Sequence, residues 1–190
     1  MSERVDATKK GKLIIISSPS GGGKGTVIKR LLELRPQLCY SVSATTRAPR
    51  NKEIDGVSYD FISRERFLEM IDNDEFLEYA KYIDEYYGTP RKNIEAALKS
   101  GRDIILEIEV QGAKQVKELV PEALSIFIVP PSMEVLESRL RGRGTDSEEK
   151  LVARLKRAEH ELKEKVHYAH VVVNDEVDRA AEEILSIINN

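Results

Sequence analysis

The sequence has few of the residues that build disulfides, metal clusters or membrane spans. It contains one cysteine, Cys39, which excludes an internal disulfide and is typical of a reducing compartment. The three histidines, His160, His167 and His170, have no metal-ligand spacing that includes a cysteine, so we predict structural roles for them. No apolar run approaches membrane-spanning length, and the first residues, MSERVDATKKGK, lack the apolar core of a signal peptide. We therefore expect a soluble cytoplasmic protein.

The charge balance argues against a polyanionic partner. Lys and Arg number 30 and Asp and Glu 33 in 190 residues, which gives a formal net charge of -3. We therefore expect neither a nucleic-acid polymer nor a membrane as partner. Hydrophobic residues make up 41% of the chain, enough to bury the core of one ordinary domain. The composition does not fix an oligomeric state.

Apolar strands alternate with helical patterns along the chain. The buried-strand candidates are 13–16, 104–110, 125–129 and 171–173. Helices are predicted at about 26–34, 90–99, 113–119, 133–140, 148–165 and 177–188, the second of them with Thr89 and Pro90 as its cap and first turn. This alternation predicts an α/β fold with a parallel-sheet core flanked by helices.

Two stretches interrupt the alternation. Residues 41–88 are rich in charge, tyrosine and turn residues, with one amphipathic helix at about 64–71, and predict a small inserted lobe. Residues 139–154 read RLRGRGTDSEEKLVAR, where Gly142 and Gly144 flank Arg143, and predict a mobile cationic flap. A cationic flap that closes over an anionic ligand can supply positive charge to it while excluding water.

The most informative stretch, LIIISSPSGGGKGTVIKR at 13–30, joins a buried strand to a helix through a glycine-rich turn. Glycines let backbone N–H groups converge on a phosphate, the helix N-terminus adds partial positive charge, and Lys24 can reach the outer phosphates. This is a P-loop arrangement rather than a flexible linker, with Ser18 in place of the first glycine. Gly25 replaces the hydroxyl residue that usually binds Mg²⁺. Either Thr26 takes over a phosphate contact, or Mg²⁺ is held through water and carboxylates elsewhere.

Paired charges in two further segments point to charged ligands. TTRAPR places Arg47 and Arg50 three apart in a loop, where two guanidinium groups suit a second phosphate; solvated surface charge is the alternative. LEIEVQG places Glu107 and Glu109 two apart in the predicted strand, so we expect both carboxylates on one face. Such a pair is unfavourable unless a metal or strong donor compensates. An edge strand with a wet face is the other interpretation.

At this point the sequence resembles the guanylate kinase family, from about residue 12 to residue 188. The motifs that carry the resemblance are PSGGGKGT, SVSATTRAPR, GVSYDFIS, FLEYAKY, YYGTP, ILEIEVQGA, IVPPS, RLRGRGTDSEE and VVVND. The resemblance implies a guanylate kinase-like domain over about 11–189. Its core is expected at about 11–40, 90–138 and 160–189, with a GMP-binding lobe at about 41–89 and a lid at about 139–159.

The resemblance also implies the site. The GMP contacts are expected to be Ser43, Arg47, Arg50, Tyr59, Glu78, Tyr87, Thr89 and Glu109. The ATP-binding residues are expected to be Ser18, Pro19, Ser20, Gly21, Gly22, Gly23, Lys24, Gly25, Thr26 and Asn174. Catalysis is assigned to Lys24, Arg47, Arg139, Arg143 and Arg154. Glu107 is expected to hold the metal, through water. The chain departs from the commonest pattern in having Glu107 and Glu109 where Asp often stands, and Thr89 where Ser is frequent.

The expected reaction is ATP + GMP ⇌ ADP + GDP with Mg²⁺, with dGMP as a further substrate, in purine nucleotide metabolism and GMP recycling. A guanylate-kinase-like binding module that recognises a phosphorylated or acidic peptide is one alternative. Such a module has no need of Lys24 or the arginine-bearing lid, and both are present. A kinase for another nucleoside monophosphate is the other alternative.

Overall fold

The computed structural model describes residues 10–82, 84–142 and 147–190. In chain order its elements are β1 (Leu13–Ser17), α1 (Lys24–Leu34), β2 (Cys39–Tyr40), β3 (Ala44–Thr45), β4 (Asp60–Phe61), α2 (Arg64–Asp72), β5 (Phe76–Tyr82), β6 (Glu85–Pro90), α3 (Arg91–Lys99), β7 (Ile104–Glu107), α4 (Val110–Leu119), β8 (Leu124–Val129), α5 (Met133–Arg141), α6 (Glu148–Lys163), a 3₁₀ turn (Glu164–His167), β9 (His170–Val173) and α7 (Val177–Asn189). Five strands follow the order β2-β7-β1-β8-β9, with β2–β7, β1–β8 and β8–β9 parallel. The predicted α/β fold with a parallel sheet flanked by helices is confirmed.

The chain divides into two compact units. Unit 1 comprises Met1–Leu13, Leu38–Leu106 and Gln111–Ala123, and unit 2 comprises Ile14–Gln37, Glu107–Val110 and Leu124–Asn190. No helix in the ranges described above combines the length and hydropathy that a membrane crossing requires.

Unit 2 is built on the parallel strands β1, β8 and β9. Every residue of β1 is buried, as its uninterrupted apolar run predicts. Helices α1 and α7 pack against each other, and each buries one stripe of apolar residues. Strand β9 departs from the prediction of a buried strand, because only Val172 is buried while Val171 and Val173 are exposed. The order of the strands explains this, since β9 is the terminal strand and has one neighbour.

Unit 1 contains a second sheet, in the order β4-β3-β6-β5. Helix α2 starts at Ser63, whose hydroxyl accepts from the Arg66 N–H, and packs on this sheet through Phe67. The Phe67 ring stacks on Phe76 of β5 with centroids 4.4 Å apart. The segment FLEYAKY forms β5 itself, which is the terminal strand of this sheet.

Two further local predictions are wrong. Strand β7 ends at Glu107, the Ile108 N–H still bonds to the Ile16 carbonyl, and α4 begins at Val110. Glu107 and Glu109 therefore do not share one strand face; Glu107 is half-buried and Glu109 is exposed. Thr89 does not cap α3 either: the cap residue is Pro90, and the Thr89 hydroxyl is used elsewhere.

Candidate active site

The loop between β1 and α1 in unit 2 is shaped by two glycines in the left-handed region. Gly21 has φ +89 and Gly23, the residue before α1, has φ +87. A Cβ on Gly21 would lie 2.8 Å from Leu140 Cδ2, and one on Gly23 would lie 2.3 Å from Asn174 Nδ2. Both backbone conformation and space therefore require glycine here. The loop ends at the N-terminus of α1, where free N–H groups favour an anion.

Asn174 and Arg139 stabilise this loop through hydrogen bonds. Asn174 is buried, and its Nδ2 donates to the Gly22 carbonyl at 2.9 Å. Arg139 Nη2 donates to the Asn174 carbonyl at 2.8 Å. The other guanidinium nitrogen, Nη1, is buried with no hydrogen-bond partner among the described residues, and it lies 3.8 Å from the Cβ position of Gly23. A buried cationic donor without an acceptor is unfavourable, so this position suits an anion.

The Lys24 amine is already held by acceptors of the same unit. Its Nζ donates to the Ile108 carbonyl at 3.3 Å and lies 3.4 Å from Glu109 Oε1. The side chain is 10% exposed, whereas that of Glu109 is 59% exposed. The Lys24 side chain thus extends towards the two residues that follow β7. Its anionic partner, Glu109, is exposed to solvent.

A second ionic network involves Ser20 and α6. Arg154 Nη2 donates to the Ser20 hydroxyl at 3.0 Å, and the Ser20 N–H donates to Glu161 Oε2 at 3.0 Å. Arg157 Nε donates to the other oxygen of Glu161 at 2.6 Å, and Arg157 Nη2 lies 3.8 Å from Glu109. Glu161 therefore joins α6 to the phosphate loop.

A carboxylate that could bind a metal ion lies beside the start of α1. Gly25 and Thr26 are exposed, and the nearest atom to a Cβ on Gly25 would be Glu107 Oε1, at 3.7 Å. The Glu107 carboxylate thus lies beside the position where the loop lacks its usual hydroxyl. Carboxylate oxygens are suitable donors for Mg²⁺.

In unit 1, Arg47 is held by the carboxylate of Glu53, a residue that the sequence analysis did not identify. Arg47 Nη1 and Nη2 each lie 2.9 Å from one oxygen of Glu53, and the Arg50 N–H donates to Glu53 at 2.6 Å. The hydrogen bond to Glu53 raises the pKa of Arg47, so it stays charged. The guanidinium carbon lies 5.5 Å from the centroid of the Tyr59 ring, and Tyr59 meets Tyr87 edge-on at 6.1 Å.

Glu78 of β5 is a buried carboxylate in unit 1. It is 7% exposed, and its Oε1 accepts a hydrogen bond of 2.5 Å from the Thr89 hydroxyl on β6. Burial raises the pKa of Glu78, and the bond from Thr89 opposes part of that rise. Ser43, which precedes β3, is half-buried in the same unit. An acceptor and a donor are therefore placed side by side within this unit.

Comparison with known proteins identifies the family. The profile described as Guanylate kinase matches residues 10–190. The chain belongs to the guanylate kinase family. A guanylate kinase from Caldanaerobacter subterraneus subsp. tengcongensis is 53% identical over 180 residues, which cover 95% of this chain and 87% of the relative. One from Synechocystis sp. is 48% identical over 179 residues, 94% of each chain.

Solved structures agree with the family assignment. The crystal structure of guanylate kinase from Anaplasma phagocytophilum matches with a TM-score of 0.79 at 38% identity, covering 96% of this chain and 86% of that one. The SH3-kinase fragment of tight junction protein 3 shares the fold, with a TM-score of 0.53 at 8% identity over 98% of this chain and 59% of the fragment. The resemblance seen in the guanylate kinase motifs is confirmed.

The residues expected from the guanylate kinase resemblance form clusters within each unit. Unit 2 joins Lys24 to Glu109, Arg154 to Ser20, and Arg139 and Asn174 to the glycine loop. Unit 1 joins Glu78 to Thr89 and Tyr59 to Arg47 and Tyr87, while Arg50 is exposed. Arg143 lies outside the described residues.

The sequence analysis missed Glu53, Glu161 and two residues of α4, Gly112 and Gln115. Glu53 stands six residues from Arg47, and Glu161 stands 141 residues from Ser20, so their partners depend on the fold. The one available sequence signal was the position of Glu53, three residues after Arg50, the last residue of the TTRAPR motif.

Proposed function

We propose that the chain transfers the γ-phosphoryl group of ATP to GMP, giving ADP and GDP. Membership of the guanylate kinase family supports this reaction, and relatives that bear the name guanylate kinase are about as long as this chain. The observation that carries the choice of GMP is the buried carboxylate of Glu78, hydrogen-bonded to the hydroxyl of Thr89.

Guanine presents two adjacent donors on its Watson–Crick edge, the ring N–H and the exocyclic amino group, beside a carbonyl acceptor. Glu78 accepts from both donors, and the Ser43 hydroxyl supplies a donor for the carbonyl, while the Thr89 hydroxyl donates to the Glu78 carboxylate and helps to hold it in place. Adenine would aim a ring lone pair at the carboxylate and an amino group at the hydroxyl. Buried polar groups would then stay unpaired, the situation in which discrimination of ~10⁴ is attainable. Glu109 is the remaining GMP contact in this proposal.

The loop of unit 2 binds the ATP phosphates, through residues 18–26. The left-handed Gly21 and Gly23, the N-terminus of α1 and the nearby Lys24 amine support this role. Lys24, Arg139 and Arg154 stabilise the charge that moves during transfer. The buried Nη1 of Arg139, which has no hydrogen-bond partner among the described residues, supports a role for Arg139 in binding the transferring phosphoryl group. Arg143 is the fourth cationic residue in this proposal. Asn174 supports the loop from its buried position and lies on the ATP side of the site.

The reaction uses Mg²⁺ bound with ATP. When bound, the ion neutralises phosphate charge and orients the phosphate oxygens. Glu107 would hold it through water, since its carboxylate lies by Gly25 and Mg²⁺ characteristically keeps several waters. Thr26, exposed in the first turn of α1, is available for a phosphate contact.

The phosphate of GMP is bound by Arg47, Arg50, Tyr59 and Tyr87 in this proposal. The contacts of Arg47 with Tyr59 support a common site for the two side chains. No side chain need act as general base, because the second pKa of a phosphomonoester is about 6 and the attacking oxygen is already ionised near neutral pH. Positioning and charge neutralisation then account for catalysis.

We propose the wider assignments on the same basis: dGMP as a further substrate, and a cytoplasmic role in purine nucleotide metabolism and GMP recycling. The proposed lobe at about 41–89 corresponds to the segment that carries β3, β4, α2, β5 and nearly all of β6. The core at about 11–40, 90–138 and 160–189 and the lid at about 139–159 complete the domain.

A coupled assay of ADP release tests the proposal. ATP with Mg²⁺ is offered with GMP, AMP, CMP and UMP in turn. We expect turnover with GMP and a kcat/KM at least ~10⁴-fold lower with AMP. Equal turnover with AMP, or no Mg²⁺ dependence, would contradict the proposal.

A further inference from the structure

Gly112 leaves the space that the Glu78 carboxylate occupies. Gly112 is the third residue of α4 and is buried. A Cβ built on it would lie 2.4 Å from Glu78 Oε2 and 2.9 Å from Glu78 Cδ. Atoms cannot approach that closely, so any other residue at this position would displace the carboxylate or the helix. Because the Gly112 backbone is helical, the chain needs glycine here for space and not for its conformation.

Gln115, one turn further along α4, fixes the strand that carries Glu78. Its Oε1 accepts from the Tyr79 N–H at 3.4 Å, and its Nε2 donates to the Tyr79 carbonyl at 3.1 Å. Residues three apart on a helix lie on the same face. One face of α4 therefore contacts two successive residues of β5. Gly112 lies against Glu78, and the side-chain amide of Gln115 is hydrogen-bonded to Tyr79.

We propose that Gly112 and Gln115 are positioning residues that set the place of the Glu78 carboxylate and thereby the selectivity for guanine. The inference rests on the proposed function, in which Glu78 reads the base. Gly112 allows Glu78 to lie against the first turn of α4, where one oxygen faces the helix and the other meets Thr89. Gln115 holds the backbone of the next residue, Tyr79, and so fixes the part of β5 from which the Glu78 side chain extends.

The main test is a double-substitution cycle. Kinetics with GMP and AMP and calorimetric titration with GMP are measured for the wild type, Gly112→Ala, Glu78→Asp and the pair combined. We expect Gly112→Ala to raise the KM for GMP about tenfold, as for one lost charge-assisted hydrogen bond, and to change the KM for ATP less than about twofold. In the Glu78→Asp background the carboxylate is one methylene shorter, and Gly112→Ala should change the KM for GMP less than about threefold.

Thermal unfolding provides a readout that does not depend on turnover. Alanine is the better helix former, so Gly112→Ala would stabilise α4 if nothing stood in its way. We expect the opposite, a lower Tm, and recovery of that Tm when Glu78→Asp is added. Lys114→Ala, an exposed change on the same helix, is the control and should alter neither Tm nor the KM for GMP by a comparable amount.

Gln115→Ala keeps the inference testable if Gly112→Ala does not fold, because it removes atoms without a clash. It should raise the KM for GMP about threefold to tenfold and lower the GMP-to-AMP selectivity, with the KM for ATP unchanged. Equal effects of Gly112→Ala in both Glu78 backgrounds, or an unchanged KM for GMP in Gln115→Ala, would overturn the inference. A wild type that neither binds nor phosphorylates GMP would instead overturn the proposed function.

Discussion

Arg47 and Glu53 form a two-pronged ion pair, with each terminal guanidinium nitrogen 2.9 Å from a different carboxylate oxygen. The same carboxylate accepts from the Arg50 N–H, so Glu53 organises the loop that contains both arginines. The hydrogen bond from Arg47 lowers the pKa of Glu53, which therefore remains an anion. Bidentate pairs of this kind fix the plane of the guanidinium group.

Glu53→Gln should weaken the binding of GMP. An amide offers one acceptor where the carboxylate offers two, and its NH₂ group would face the donors of Arg47. We expect the KM for GMP to rise about threefold to tenfold, in line with a partly exposed charged hydrogen bond, with kcat little changed. Glu69→Gln, which removes a surface partner of Arg66, is the matched control. A fall in the KM for GMP would show that Glu53 competes with the phosphate instead.

Glu78→Gln should reduce the use of GMP and leave ATP almost unaffected. The substitution removes a charge-assisted hydrogen bond to guanine, worth about 2–3 kcal/mol, or on the order of 30- to 150-fold in kcat/KM. Steady-state assays with GMP and AMP measure the change. If the variant keeps full selectivity for GMP over AMP, another residue reads guanine, and Glu109 would be the next candidate.

The same substitution should make the protein more stable at neutral pH. Burial raises the pKa of Glu78 above the value in the unfolded chain, so the folded state binds the proton more tightly. Stability therefore falls as the pH rises from the ordinary glutamate pKa through the raised one. Gln cannot ionise and can still accept from Thr89, so Glu78→Gln should raise Tm at pH 7.

The gain in Tm should shrink as the pH falls through the raised pKa of Glu78 and should be lost below the ordinary glutamate pKa of about 4.3, because Glu78 is protonated in both states there. Melting curves across this range provide the measurement. Glu118→Gln, which changes an exposed carboxylate on α4, is the control and should show no such trend. A gain in Tm that stays constant with pH would mean that ionisation of Glu78 is not its cause.

Lys24→Met should leave the fold intact and reduce kcat about a hundredfold or more. The change removes a positive charge that stabilises the transferring phosphoryl group, while Met fills a similar volume. Circular dichroism and a melting curve establish that the variant is folded, and the coupled assay measures turnover. Near-normal turnover by a folded Lys24→Met protein would remove Lys24 from the catalytic assignment.

Patterns that are local in the chain predicted the fold well. The buried run at 13–16, the glycine loop and the helix after it follow from residue order, because strand, turn and helix each need particular neighbours. Features that depend on residues distant in the sequence, such as the end of a strand, could not be predicted in this way. The apolar run from Ile104 to Val110 has the composition of one strand, yet the chain leaves the sheet after Glu107. Nothing in that run marks where the partner strand stops.

The site shows the same division. Motifs predicted which residues to examine, but partners came from the fold. Thr89 followed by Pro90 reads as a helix cap, whereas its hydroxyl bonds to Glu78 on the adjacent strand. Gly112 lies between the strand predicted at 104–110 and the helix predicted at 113–119, and the side chain that requires a glycine there, Glu78, lies 34 positions earlier in the chain. A glycine that is needed only because it has no side chain cannot be recognised from its neighbours in the sequence.

The bond between Gln115 and Tyr79 also covers part of the exposed edge of a sheet. Strand β5 is the terminal strand of its sheet, and terminal strands present unpaired N–H and carbonyl groups that can recruit another extended chain. Both backbone groups of Tyr79 are taken by the Gln115 amide, and the exposed Lys81 adds a charge two residues further on. The side chain of one helix residue thus makes the two hydrogen bonds that a neighbouring strand would make with Tyr79, and at this point of the edge it leaves no backbone group of Tyr79 for another extended chain to pair with.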